Sequence, residues 1–158
     1  MTKRSSGRWL HHALTFGLVA AAILAKPAIA QTPIQSQDSN TAGIVAEITE
    51  CKRADGVLTV RVRFRNTTDK PIVMDVIHGR NFDSYYVTAA SKKYFILRDT
   101  EKVPLAPAID GSGNVRTEIA PKGGYVFWAR FPAPPADIKK INYITPHTPP
   151  FDNIPITD

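Results

Sequence analysis

Between residues 58 and 65 the chain reads LTVRVRFR. Leu58, Val60, Val62 and Phe64 alternate with Thr59, Arg61, Arg63 and Arg65 without a break. A period of two places the four apolar side chains on one face of a strand and the other four on the opposite face. The same pattern predicts strands over 44–50, 57–66, 72–78, 85–88, 94–98, 124–131 and 138–145, with a short edge strand possible at 115–119. Between them stand turn signals. Asp55-Gly56 is a hairpin-type dipeptide. Thr67-Thr68-Asp69-Lys70-Pro71 ends on a proline that cannot continue a central strand. Ala90-Ser91-Lys92-Lys93 reads as the tip of a second hairpin. No window after residue 30 carries a 3.6-residue apolar period. Seven or eight short strands in about 110 residues predict an all-β, antiparallel β-sandwich; a small open barrel is the structural alternative.

Three stretches fall outside this pattern. QTPIQSQDSNT, from Gln31 to Thr41, is polar and aperiodic, so residues 31–43 read as a flexible leader to a domain spanning 44–158. The connection 99–123 is long for a compact domain and rich in Pro and Gly, the kind of loop that is functional or mobile. The last stretch, PHTPPFDNIPITD, is expected to lie extended and to dock Phe151, Ile154 and Ile156 on the domain.

The N-terminus reads as an address. Lys3, Arg4 and Arg8 precede an apolar run of thirteen, Ala13 to Ala25, and Ala28-Ile29-Ala30 has the small-x-small pattern of a cleavage site. Residues 1–30 are therefore expected to be a cleavable signal peptide of a periplasmic or secreted bacterial protein, and the run is short for a membrane span of about 20 residues. No transmembrane span is expected in the mature chain. This changes the charge balance. The whole chain has 20 basic and 14 acidic residues, but residues 1–30 hold four of the basic ones and none of the acidic. The remaining 128 residues carry a net charge of +2, which does not support a nucleic-acid partner. Cys51 is the single cysteine, so no intrachain disulfide forms; it is expected to be a small buried residue at a strand end, against a reactive thiol or an intermolecular bridge.

Candidate chemistry is sparse. Asp110-Gly111-Ser112-Gly113-Asn114 imitates the opening of a calcium loop, but the sixth and twelfth places, where Gly and Glu are needed, hold Val115 and Pro121. After residue 30 only His78 and His147 could offer imidazole, without a Cys or acidic cluster around them. There is no nucleophile elbow and no phosphate-binding glycine loop. No catalytic residue, metal ligand or cofactor is expected. The arginines remain. Arg61, Arg63 and Arg65 lie about 7 Å apart along the strand, a row of about 14 Å. Glu47, Glu50 and Asp75 on neighbouring strands can relieve their repulsion. The first expectation is a solvated, charge-laced outer face; the sharper one is a shallow site for an anionic envelope polymer, a lipid head group or an acidic protein. Tyr125, Phe127 and Phe131 alternate with Val126 and Trp128, so one set faces the core, and an exposed Trp128 would mark a partner surface.

VRVRFRNTTDKPI resembles the strand–Asn–Thr–turn opening of immunoglobulin-like domains in bacterial exported proteins. Phe131-Pro132-Ala133-Pro134-Pro135 and Pro150-Phe151-Asp152-Asn153-Ile154-Pro155-Ile156 are similar to the immunoglobulin-like region that precedes OmpA-type peptidoglycan-binding domains. The resemblance covers about residues 44–156. It departs in two ways. The Gly expected after Pro121 is displaced by Lys122 to Gly123-Gly124, and no OmpA-type domain is expected after Asp158, so a peptidoglycan-anchoring role does not carry over. The resemblance implies an immunoglobulin-like sandwich and transfers no catalytic residue. The function expected is that of a non-catalytic interaction or structural module of the cell envelope, whose partner is an envelope protein or anionic polymer. The alternative is an accessory protein binding anions through the arginine-lined face, with Trp128 on the same surface. A third reading is a hydrolase with its site in the 99–123 loop.

Overall fold

A computed structural model describes residues 32–158; the expected signal peptide and its cleavage point lie outside the described residues. The described chain is all-β. Ten strands follow one another: β1 (Gln35–Asp38), β2 (Ile44–Ala54), β3 (Val57–Asn66), β4 (Ile72–Ile77), β5 (Tyr86–Ala89), β6 (Lys92–Phe95), β7 (Val115–Ile119), β8 (Gly124–Pro132), β9 (Lys140–Ile144) and β10 (Phe151–Pro155). One 3-10 turn, Phe82–Ser84, separates β4 from β5. The strands pair antiparallel in three sheets, of order β1-β2-β3-β8, β10-β9-β5-β6 and β4-β7.

Two hairpins use the same two-residue turn. Ala54 pairs with Val57 around Asp55 and Gly56, whose φ angles are 50° and 75°. Ala89 pairs with Lys92 around Ala90 and Ser91, at 46° and 62°. Two left-handed residues in succession match the right-handed twist of the flanking strands. The first turn has a glycine for one of these positions; the second has none.

The inner face of β1-β2-β3-β8 shows why alternation in β2 is broken. Ile44, Ala46 and Ile48 point inward, and then Cys51 does, an odd residue after three even ones. The register shifts between Ile48 and Glu50, so Thr49 is the extra residue of a β-bulge opposite Arg61. The bulge advances the phase by one and carries Cys51 into the core beside Val60, its partner in β3. Leu58, Val60, Val62 and Phe64 of β3 and Phe127, Ala129 and Phe131 of β8 complete this face, each 1% exposed or less. Val87, Tyr143, Phe151 and Ile154 of the β10-β9-β5-β6 sheet and Met74, Val76 and Ile119 of β4-β7 belong to the same buried cluster.

Several expectations change. Residues 31–43 are not a free leader throughout: Gln35 to Asp38 pair with Val45 to Ile48 as an edge strand. Edge pairing is a backbone transaction and needs no apolar side chain, so a polar sequence does not exclude it. Likewise the Pro-rich C-terminus does more than dock. Phe151, Ile154 and Ile156 are buried as expected, and residues 151–155 also pair with β9, interrupted by a register shift at which Asn153 adopts φ 57°. Ten strands therefore replace the seven or eight expected. Cys51 lies within a strand that runs on to Ala54, not at its end.

The turn after β3 is built on a buried asparagine. The side-chain amide of Asn66 donates to the carbonyls of Lys70 (2.7 Å), Ile119 (3.1 Å) and Ala120 (3.2 Å), while its oxygen accepts from the backbone N–H of Thr68 (2.8 Å) and from its hydroxyl (2.8 Å). This one side chain closes the 66–71 turn and ties it to the end of β7. Pro71 then sends β4 away from β3 to pair with β7.

Candidate functional site

The outer face of β1-β2-β3-β8 carries the arginine row, and the register decides its character. Glu47 stands directly opposite Arg63, and Glu50 opposite Arg61. Arg65 is opposite Val45, which places it diagonal to Glu47. The contacts follow. Arg63 Nε donates to Glu47 Oε2 at 2.7 Å, with its terminal nitrogen at 2.6 Å, and Arg65 Nε donates to Oε1 at 2.8 Å. Arg61 lies 3.1 Å from Glu50. Two guanidiniums thus share one carboxylate, and Glu47 is 4% exposed although it sits on the outer face. Burial alone would raise its pKa, but the hydrogen bonds and charges of Arg65 and Arg63 outweigh this and hold it below the ordinary 4.5. Asp75 does not reach the row; it lies on β4 and faces Arg116 at 3.8 Å.

On the other flank Trp128 stands opposite Arg61 and Val126 opposite Arg63. Phe127 and Phe131 face the core, so Val126 and Trp128 are the outward set. Val126 is 45% exposed and Trp128 half-buried, with the Arg130 guanidinium 6.0 Å from its ring. The row and Trp128 therefore share one surface. The arginines are already paired.

The backbone of β8 has a second property. Asn66 N–H donates to Gly123 C=O and Ala133 N–H to Gly56 C=O, which continues the β3–β8 ladder through the odd residues of β8. The even residues point away from β3. Arg130 confirms this phase: its N–H donates to Leu105 C=O at 3.0 Å, and its C=O accepts from Leu97 N–H at 2.8 Å. Gly124, Val126 and Trp128 share the outward phase, and among the described residues no backbone partner meets them. Buried backbone groups are almost always paired; these form an open sheet edge. Sequence reasoning missed it because nothing local says which strand ends a sheet.

The remaining candidates are occupied by structure. Cys51 is 1% exposed and burial pushes its thiol up to about 12, leaving it protonated and shielded. Asp110 Oδ1 accepts from the N–H groups of Ser112 (2.8 Å) and Asn114 (3.0 Å), so the residues that imitate a calcium loop form an Asx-type turn. Among the described residues no group of three or more His, Cys, Asp or Glu side chains gathers as a metal site. His147 is half-buried; its Nε2 meets the Val76 carbonyl at 2.9 Å, and its ring stands edge-on to Phe64. Burial lowers its pKa below 6.5, the bond to Val76 partly opposing this.

Arg53 was not singled out in the sequence. It is inward-facing after the bulge, and its guanidinium donates to the carbonyls of Pro134, Pro135, Ala136 and Ile138 and to Asp158. It fastens the 134–138 segment and the C-terminus to β2. Two clefts open elsewhere. One, of about 330 Å³, lies at the tip of the β5–β6 hairpin. The other, of about 460 Å³, lies between the 3-10 turn and the first part of the 99–123 connection. No protein-family model, curated protein or solved structure matches the chain.

Proposed function

We propose that this chain is an exported bacterial protein whose β domain is an immunoglobulin-like sandwich, and that it serves as an interaction or structural module of the cell envelope without catalytic machinery of its own. The architectural part is supported by strand order. With β2, β3 and β8 taken as A, B and E, and β5, β6, β9 and β10 as C, C′, F and G, the two larger sheets read A-B-E and G-F-C-C′, an immunoglobulin-like arrangement. Strand β1 extends the first sheet, and β4-β7 is a separate addition. The compartment is supported by the charged leader, apolar run and Ala-Ile-Ala of residues 1–30. On this reading the exported chain begins at Gln31, and an intact mass that still includes residues 1–30 would remove the envelope from the proposal.

The observation that carries the interaction role is the open edge of β8. Backbone groups at Gly124, Val126 and Trp128 that meet no partner among the described residues, beside an exposed Val126, suit the addition of a partner's extended segment as one more strand. An envelope protein is favoured over an anionic polymer. The alternative, an anion site on the arginines, has less support because Glu47 and Glu50 already meet all three guanidiniums.

A photo-crosslinking residue in place of Trp128, in living cells, tests this. The expected result is a discrete adduct with an envelope protein. Val126→Pro should abolish it, because it removes an edge donor that no bond among the described residues uses. The triple change Arg61→Gln, Arg63→Gln, Arg65→Gln should leave it. An adduct that survives Val126→Pro and vanishes in the triple mutant would transfer the role to the arginine face.

A further inference from the structure

The cleft of about 460 Å³ beside the 3-10 turn is independent of the β8 edge and stands whether or not that reading holds. Its volume lies within the range of about 300–1,000 Å³ typical of small-molecule sites. Its base is apolar: Phe82 and Ala106 are buried beneath it, and Val103, 52% exposed, stands at its wall. Its rim is cationic. Arg80, Arg98 and Lys102 line it together with one carboxylate, Glu101.

The cations differ in how far they are engaged. Arg98 donates to the Lys102 carbonyl at 3.2 Å and lies 3.6 Å from Asp83. The side chains of Arg80 and Lys102 make no hydrogen bond or ion pair with any described residue. Two cations without a partner among the described residues, beside an apolar base, suit an anionic head that carries an apolar tail rather than a neutral ligand.

The walls are held in place before any ligand arrives. Asp99 Oδ1 accepts from Glu101 N–H and Val103 N–H, both at 2.9 Å, and Asp110 holds its own turn in the same way. These two aspartate turns bracket the Pro104-to-Ile109 wall. Arg80 donates its N–H to Gly113 C=O at 2.7 Å, and its side chain crosses Gly113 so closely that a Cβ there would come within 2.8 Å of Arg80 Cγ. The glycine is what lets Arg80 lie along this path. A preformed apolar pocket with oriented charge loses little on binding to ordering its own groups.

We propose that this cleft binds a single-chain amphipathic anion, its carboxylate or phosphate head between Arg80 and Lys102 and its apolar tail against Phe82, Val103 and Ala106. Such a head could belong to a free fatty-acid-like carboxylate or to a lipid-derived phosphate monoester. Both share the chemistry that the cleft recognises.

The test is amide NMR on the chain as recovered from expressing cells, titrated below micelle-forming concentrations with decanoate, decyl phosphate, neutral octyl glucoside and inorganic phosphate. Decanoate should move the signals of Phe82, Val103 and Ala106 saturably, and octyl glucoside should not. The relative strength of decanoate and decyl phosphate identifies the head group preferred. Arg80→Gln with Lys102→Gln should weaken binding by about tenfold or more, the size of a lost charge-assisted hydrogen bond. Val103→Asp, at an exposed position, should weaken it without lowering the melting temperature. Absence of saturable shifts at these residues, equal shifts with octyl glucoside, or unchanged binding in the double variant would each overturn the proposal. Equal binding of inorganic phosphate would overturn the role given to the apolar base.

Discussion

Glu47 takes on a different energetic role from Arg61, although both belong to the same outer face. Glu47 is buried between two guanidiniums, whereas Arg61 and Glu50 remain substantially exposed. Removing a buried partner leaves desolvated groups unmatched, while exposed pairs contribute little. Glu47→Gln is therefore expected to cost about 1–3 kcal/mol and Arg61→Gln less than about 1 kcal/mol, read from urea melts. The pH dependence separates two groups. The Glu47 pKa is depressed in the fold, so its contribution is complete above the ordinary 4.5 and is lost as pH falls through the lower folded value. His147 is also depressed, but as a base: the unfolded chain takes up its proton first, and stability falls as pH drops from 6.5 toward the lowered folded value. Glu47→Gln should flatten the acid limb and His147→Gln the limb just below 6.5. If the two variants flatten the same limb, one of these assignments is wrong. At the β5–β6 tip, Ala90→Asn with Ser91→Gly places residues suited to left-handed φ where Ala and Ser now stand, and should raise stability by about 1 kcal/mol.

At the scale of elements, neighbouring residues of β8 should respond oppositely to proline. Phe127 is paired to Val62 through the β3 ladder and is fully buried; Val126 points its N–H away from that ladder. Phe127→Pro removes an internal hydrogen bond and a large core side chain, and should cost more than about 3 kcal/mol. Val126→Pro sits on an edge, where proline is tolerated, and should cost less than about 1.5 kcal/mol. Thermal melts of the two variants decide whether β8 is the end of its sheet in solution: a comparable loss in both would mean that the Val126 N–H is used. The same residues illustrate what alternation conveys. It correctly separated Phe127 and Phe131 from Val126 and Trp128, because side-chain direction in a strand is a local property. It was silent on the free edge, because an edge is defined by a strand that is not there.

For the whole molecule, the C-terminal segment is expected to be indispensable. Phe151, Ile154 and Ile156 are each buried to 9% exposure or less, and Asp158 holds Arg53 at 2.7 Å. Burial of three such side chains is worth about 1.5–3 kcal/mol each, against a total stability of about 5–15 kcal/mol for a typical domain. A chain ending at Pro149 should lose its cooperative melt, and a cooperative melt in that truncation would refute the role given to β10. The sequence by itself determined the all-β class, the positions of most strands, which side chains of β3 face inward, that Phe127 and Phe131 of β8 face the opposite way to Val126 and Trp128, and the Asp55-Gly56 turn. Each follows from a period of two or from the backbone preference of one or two residues. Only the tertiary structure decided that β1 and β10 join sheets, that β4 leaves β3 for β7, that a bulge at Thr49 turns Cys51 and Arg53 inward, and that Glu47 is buried on an outer face. Those depend on which strand lies alongside which, and pairing is made between backbones distant in sequence, with Glu47 covered by arginines that another strand supplies.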